Sequence, residues 1–169
     1  TFDVGYGMAL SGVISGTGSL TKVSAGQLNL TGTNTYSGGS TVQAGTLFGG
    51  EGSESRTAFG SGSITVASGA TLWTDRSTLA NALVLNGGTL RGTNGFGENW
   101  SGTVTLAGAS TLDVGSYMAL SGVISGTGSL IKVSAGQLNL SGTNTYSGGT
   151  QINGGTLALG SASALGSAG

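Results

Sequence analysis

The sequence predicts an all-β chain wound as a right-handed parallel β-helix of about seven to eight coils, a single solenoid over residues 1–169. Three observations carry this reading. Residues 1–47 recur at 111–157 at a fixed offset of 110 without a gap, identical at 37 of 47 positions. Landmark leucines Leu28, Leu47, Leu72, Leu90, Leu112, Leu138 and Leu157 recur at intervals of 18–26 residues, the range of a solenoid repeat. Short runs alternate apolar and polar side chains with the two-residue period of a strand. Taken together, the leucines divide the large repeat into five units of about 22 residues, which sets the coil count. The right hand follows from the preference of parallel crossovers. Frequent turn signals would also suit an antiparallel sandwich or barrel, but such a fold has no need of a 22-residue repeat.

The elements follow in order. Thr1-Phe2-Asp3-Val4 reads as a strand with Phe2 and Val4 on one face and Asp3 on the other. In Gln27-Leu28-Asn29-Leu30 the leucines share the inner face. A less regular middle, 48–110, keeps the alternation in Ile64-Thr65-Val66, Leu83-Val84-Leu85 and Val104-Thr105-Leu106. Ser68-Gly69-Ala70, Asn86-Gly87-Gly88 and Ala107-Gly108-Ala109 break these runs, since glycine supplies the positive φ of tight turns. Leu112-Asp113-Val114 then begins the second copy. No stretch holds a helical apolar period, and this glycine density costs a helix about 1 kcal/mol per residue. Proline, which would remove a backbone donor, is absent.

Composition removes whole classes of function. Glycine supplies 36 of 169 residues, charged residues only 7%, and there is no Cys or His. Zinc centres, disulfide frameworks and imidazole-assisted nucleophiles are therefore excluded. Five Lys and Arg cannot form a phosphate-binding stripe, so no nucleic-acid partner is expected. No apolar run spans a membrane as a helix. The start carries neither an initiator Met nor a basic segment leading into an apolar one, so the chain reads as a mature or excised stretch. Gly and Ser abundance alone would suit a linker, but regular apolar clusters and 37% hydrophobic residues point to a packed core.

Two stretches carry a resemblance. Gly18–Leu47 reads GSLTKVSAGQLNLTGTNTYSGGSTVQAGTL, and Gly128–Leu157 reads GSLIKVSAGQLNLSGTNTYSGGTQINGGTL. The pattern of Leu-x-Lys, Gly-x-Leu-x-Leu, Asn-Thr-Tyr-Ser-Gly-Gly and Gly-Thr-Leu resembles the autotransporter-associated β-strand repeat, also called the passenger-associated transport repeat. The resemblance implies a β-helical passenger segment of a type V secreted protein on the surface of a Gram-negative bacterium. It implies a structural or adhesive role, without enzymatic activity or a cofactor. The absence of Cys agrees with a chain that crosses the outer membrane unfolded, since no disulfide could lock it beforehand. Between Lys22 and Gly26 this chain has Val-Ser-Ala, where many members of the family place another glycine.

Chemistry-bearing residues are few. Asp3 and Asp113 are repeat equivalents and too far apart to act as the facing carboxylates of a glycosidase. Glu51 and Glu54 lie in a Gly/Ser-rich stretch that reads as a solvated loop, with calcium a weaker alternative. The glycine runs lack the Gly-Lys-Ser/Thr of a phosphate loop. Lys22 and Lys132 are expected to face solvent, Asn34 and Asn144 to form turns, and Tyr36 and Tyr146 to cover them. Thr-x-Thr runs are too few for an ice-binding ladder. Seven charges outside the repeat pairs, together with Trp73 and Trp100, fall between 48 and 100. Exposed Trp and Arg are enriched at binding hot spots, so Trp73, Trp100, Arg56, Arg76 and Arg91 are the candidate binding patch. No catalytic residue and no metal ligand are expected. Expected partners are further copies of the chain, end to end or side by side, or surface glycans or proteins. The alternative is a carbohydrate-binding or carbohydrate-active β-helix.

Overall fold

A computed structural model of the chain describes residues 1–50, 57–75, 78–92 and 97–168. Among these residues every ladder between strands is parallel, apart from an isolated antiparallel bridge between Ala67 and Gly87, and the strands stack into three sheets that form the faces of a solenoid. The first sheet has seven strands: Phe2–Asp3, Leu20–Val23, Ser40–Val42, Ile64–Ala67, Leu83–Asn86, Val104–Leu106 and Ile124–Ser125. The second has eight: Met8–Leu10, Gln27–Leu30, Thr46–Gly49, Thr71–Thr74, Thr89–Gly92, Ser110–Val114, Leu130–Val133 and Thr150–Ile152. The third has five: Thr78–Leu79, Glu98–Trp100, Tyr117–Leu120, Gln137–Leu140 and Thr156–Leu159. Among the described residues the only helical turn is the 3₁₀ segment Gly166–Ala168. Among the described residues no helix is long and apolar enough to cross a membrane.

A single coil cannot bury its apolar edge, so the core exists only as columns built by stacking. On the second sheet Leu28, Leu47, Leu72, Leu90 and Leu112 lie in register on successive coils, all buried. On the first sheet the column is Val42, Val66, Leu85 and Leu106. Leu79, Trp100, Leu120 and Leu140 line the third. Alternate residues face out, as the strand period requires.

The repeat and the coil do not coincide. Leu20–Val23 belongs to the first sheet, whereas its copy Leu130–Val133 belongs to the second. Gln27–Leu30 lies on the second and its copy Gln137–Leu140 on the third. The offset of 110 residues is thus five coils plus one face, at about 21 residues per coil rather than 22. The 26-residue step from Leu112 to Leu138 is a step onto the next face. The register partner of Leu112 on the following coil is Lys132, and that of Lys132 is Ile152. A lysine occupies the leucine column.

Candidate functional site

Lys22 and Lys132 correct the expectation of solvent-facing lysines, for neither exposes any surface. Lys22 Nζ donates to the carbonyls of Val23 at 2.7 Å, Ser24 at 2.8 Å and Ala44 at 3.2 Å. Lys132 Nζ donates to Val133 at 3.3 Å, Ser134 at 3.0 Å and Gly154 at 2.9 Å. An ammonium has three donors and no acceptor, so three carbonyls complete it. The cage depends on the turn that follows each lysine. Ser24 and Ser134 both adopt φ 66°, and they are the only non-glycine residues with positive φ among those described. This conformation strains an L-residue. Here the serine side chain offsets part of the strain, as Ser24 Oγ donates to Asp3 and Ser134 Oγ donates to Asp113 at 2.6 Å. Each unit therefore ties three coils: the aspartate from the coil before, the lysine and serine, and a carbonyl from the coil after. Gly155 has φ 67°, and a Cβ there would lie 2.2 Å from the Gly136 carbonyl oxygen as well as 2.6 Å from Lys132 Nζ, so that position must remain glycine.

Asn34 and Asn144 form a second tie across three coils, in place of the local turn expected. Asn34 Oδ1 accepts from the Ile14 N–H at 2.8 Å, and its Nδ2 donates to the Ala58 carbonyl at 2.6 Å. Asn144 repeats this with Ile124 at 2.8 Å and Ala164 at 2.6 Å. Tyr36 and Tyr146 do not cover a turn from outside. Both are buried, with their hydroxyls bonded to Ser40 Oγ at 2.6 Å and Thr150 Oγ1 at 2.5 Å. The acceptors Ala58 and Ala164 begin matching turns, Ala58-Phe59-Gly60-Ser61 and Ala164-Leu165-Gly166-Ser167, with Gly60 and Gly166 at φ 64° and 72°. The sequence reading missed this third part of the repeat. It follows Leu47 by eleven residues but Leu157 by seven, so a gapless comparison cannot align it. Asn144→Leu would leave a buried N–H and a buried carbonyl without partners, each costing about 1–3 kcal/mol. A drop in stability of about 2–4 kcal/mol is expected on chemical denaturation; an unchanged midpoint would show that the tie contributes nothing.

Burial also sets the pH response. It pulls Lys22 and Lys132 below the ordinary lysine value of 10.5, with Asp3 and Asp113 opposing. It pushes Tyr36 and Tyr146 above 10.0, with their hydroxyl hydrogen bonds opposing. For the lysines the unfolded chain holds its protons more tightly, so stability rises with pH toward 10.5. For the tyrosines the folded chain does, so stability present below pH 10 is lost above it. The melting temperature should climb on the alkaline side and fall beyond about pH 10. Lys132→Met should flatten the climb and Tyr146→Phe delay the fall; a profile unmoved by either would refute the assignment.

On the outer surface the candidate patch divides. Trp100 is buried, and its Nε1 donates to the Asn81 carbonyl at 2.9 Å, so it is a core residue and no binding residue. Arg56 and Arg76 lie outside the described residues, as do Glu51 and Glu54. Trp73 and Arg91 do face outward, and register joins them in one column: Phe48, Trp73, Arg91 and Asp113 on four successive coils. Phe48 meets Trp73 edge to face at 4.9 Å. The Arg91 guanidinium lies 4.6 Å over the Trp73 ring, and its Nε is 3.5 Å from Asp113 Oδ2. Beside this column runs Thr46, Thr71, Thr89 and Thr111. It is a single threonine row, without the second row an ice-binding face needs. A cleft of about 340 Å³ opens along the column, lined by Trp73, Arg91, Gly92, Asp113, Gly115 and Ser134 together with Ala135. Glu98, by contrast, points into the core and is buried. Among the described residues no three potential metal ligands cluster.

Comparison with known proteins bears on the repeat rather than the cleft. Residues 20–47 and 130–159 match the family model of the passenger-associated-transport-repeat. These are the segments that contain the lysine cages and the asparagine and tyrosine ties. The chain is also 34% identical over 140 residues, 82% of its length, to the adhesin BmaC autotransporter of Brucella suis biovar 1 (strain 1330). It spans about 4% of the length of that relative. No solved structure matches it. The chain is a β-solenoid segment of the autotransporter passenger type, built on two passenger-associated transport repeats.

Proposed function

We propose that this chain is one rigid stretch of the extracellular passenger of a Gram-negative adhesin, supplying reach and an adhesive surface rather than catalysis. The observation that carries this reading is the pair of transport repeats, each tying three coils through buried polar side chains, within a chain similar to an autotransporter adhesin. A non-enzymatic role is supported by the placement of Asp3 and Asp113. They lie on different sheets, and each bonds a serine of the next coil. The test is display of the segment on a non-adhesive passenger at the surface of a Gram-negative host. Increased attachment to host cells or to neighbouring bacteria is expected; a displayed, folded segment with no gain in attachment would defeat the reading.

A further inference from the structure

The geometry points to the cleft beside Trp73 and Arg91 as a binding site for a neutral, hydroxyl-rich saccharide unit. This inference deepens the adhesive reading and rests on that surface being displayed. Four features of the cleft belong to sugar recognition: an aromatic ring, a fork of donors, a carboxylate acceptor and a hydroxyl, set over a floor of Gly92 and Gly115. Its volume of about 340 Å³ falls at the small end of ligand pockets, about 300–1,000 Å³.

The column is not self-sufficient, which separates it from a purely structural clasp. Arg91 has five N–H donors. It reaches Asp113 through Nε alone at 3.5 Å, longer than the 2.7–2.9 Å of a charge-assisted hydrogen bond. Beyond this pair and its stacking on Trp73 it has no hydrogen-bond or ion-pair partner among the described residues, and its side chain is 49% exposed. Trp73 Nε1 is buried without an acceptor. Swinging Arg91 off the indole and onto a ligand would uncover the ring for the apolar face of a pyranose. Asp113 is already anchored by Ser134 at 2.6 Å, so its second oxygen can accept from sugar hydroxyls without losing its position. One cation and one anion balance the site. A neutral saccharide is therefore favoured over an acidic one, which would meet Asp113, and over a cationic one, which would meet Arg91.

The experiment titrates the purified segment with neutral oligosaccharides based on glucose, galactose, mannose and N-acetylglucosamine, alongside sialylated and uronic-acid oligosaccharides. Tryptophan fluorescence is the readout, because Trp100 is enclosed and Trp73 carries the response. Saturable binding of a neutral saccharide is expected. Arg91→Met should weaken it about tenfold or more while the melting temperature holds, Asp113→Asn should weaken it similarly with a modest fall in melting temperature because Asp113 also accepts from Ser134 and faces Lys132, and Trp73→Phe should abolish the optical change. No binding by the neutral panel, binding confined to acidic saccharides, or affinity indifferent to Arg91→Met would overturn the inference. So would attachment to a protein partner that the bound sugar does not compete. Attachment that survives Arg91→Met in the displayed segment would sink the cleft and leave the adhesive reading standing. Sugar binding by a segment that adheres to nothing would do the reverse.

Discussion

Lys132→Ala is expected to destabilise the segment by about 3–5 kcal/mol, although it removes a buried charge. Desolvating an ammonium is costly, so the substitution relieves one penalty. It creates two larger ones. The lysine stem fills the site that leucine fills on the coils below, and its loss leaves a cavity between Leu112 and Ile152. The carbonyls of Val133, Ser134 and Gly154 lose their common donor in a turn held at positive φ. Lys132→Met separates the two causes by restoring the stem without the donors, and a loss of about 1–3 kcal/mol is expected for it. Lys22→Ala should fall in the same direction because its cage is the same. Denaturation with hydrogen exchange on Leu130–Val133 and Gln137–Leu140 reads the result. Full protection of those strands in Lys132→Ala would mean that the cage does not join the coils.

Leu28→Asp is expected to melt the coils around it, at a cost of about 4 kcal/mol or more, because a carboxylate in the leucine column has no partner. Thr21→Ile, seven residues away, should change stability by less than about 0.5 kcal/mol. Thr21 faces outward, and the second copy already carries Ile131 at the equivalent position. In a solenoid each coil contacts only its neighbours. The damage from Leu28→Asp should therefore concentrate in Met8–Leu10, Gln27–Leu30 and Thr46–Gly49, leaving Thr89–Gly92 protected in hydrogen exchange. Equal damage from both substitutions would contradict the inward column itself.

These two substitutions mark the boundary of what the amino-acid order reveals. Alternation alone assigns Leu28 inward and Thr21 outward, because the strand period is local. The same parity places Lys22 with Leu20 on the inner face, yet a lysine there is unfavourable unless its charge is met. What meets it is the turn at Ser24 and a carbonyl of the next coil, 22 residues away. The sequence shows neither the positive φ of a serine nor the identity of that neighbour. Trp73 and Trp100 part in the same way. The first alternates with Leu72 and faces out; the second turns inward because Asn81, on the preceding coil, offers its carbonyl to the indole.

The β-helix, its parallel strands, its seven to eight coils and the two transport repeats were legible in the sequence by itself, since each rests on periodicity or on identity between copies. Only the tertiary structure decided which face each strand occupies. The three faces are lined by similar residues, so a spacing of 26 can be a long coil or an ordinary coil plus one face, and the leucines do not distinguish them. The cleft, too, required coordinates. Trp73, Arg91 and Asp113 stand 18 and 22 residues apart along the chain, and they become neighbours because register stacks them. Of the charges and aromatic residues that cluster between 48 and 100, stacking selects those that share a column.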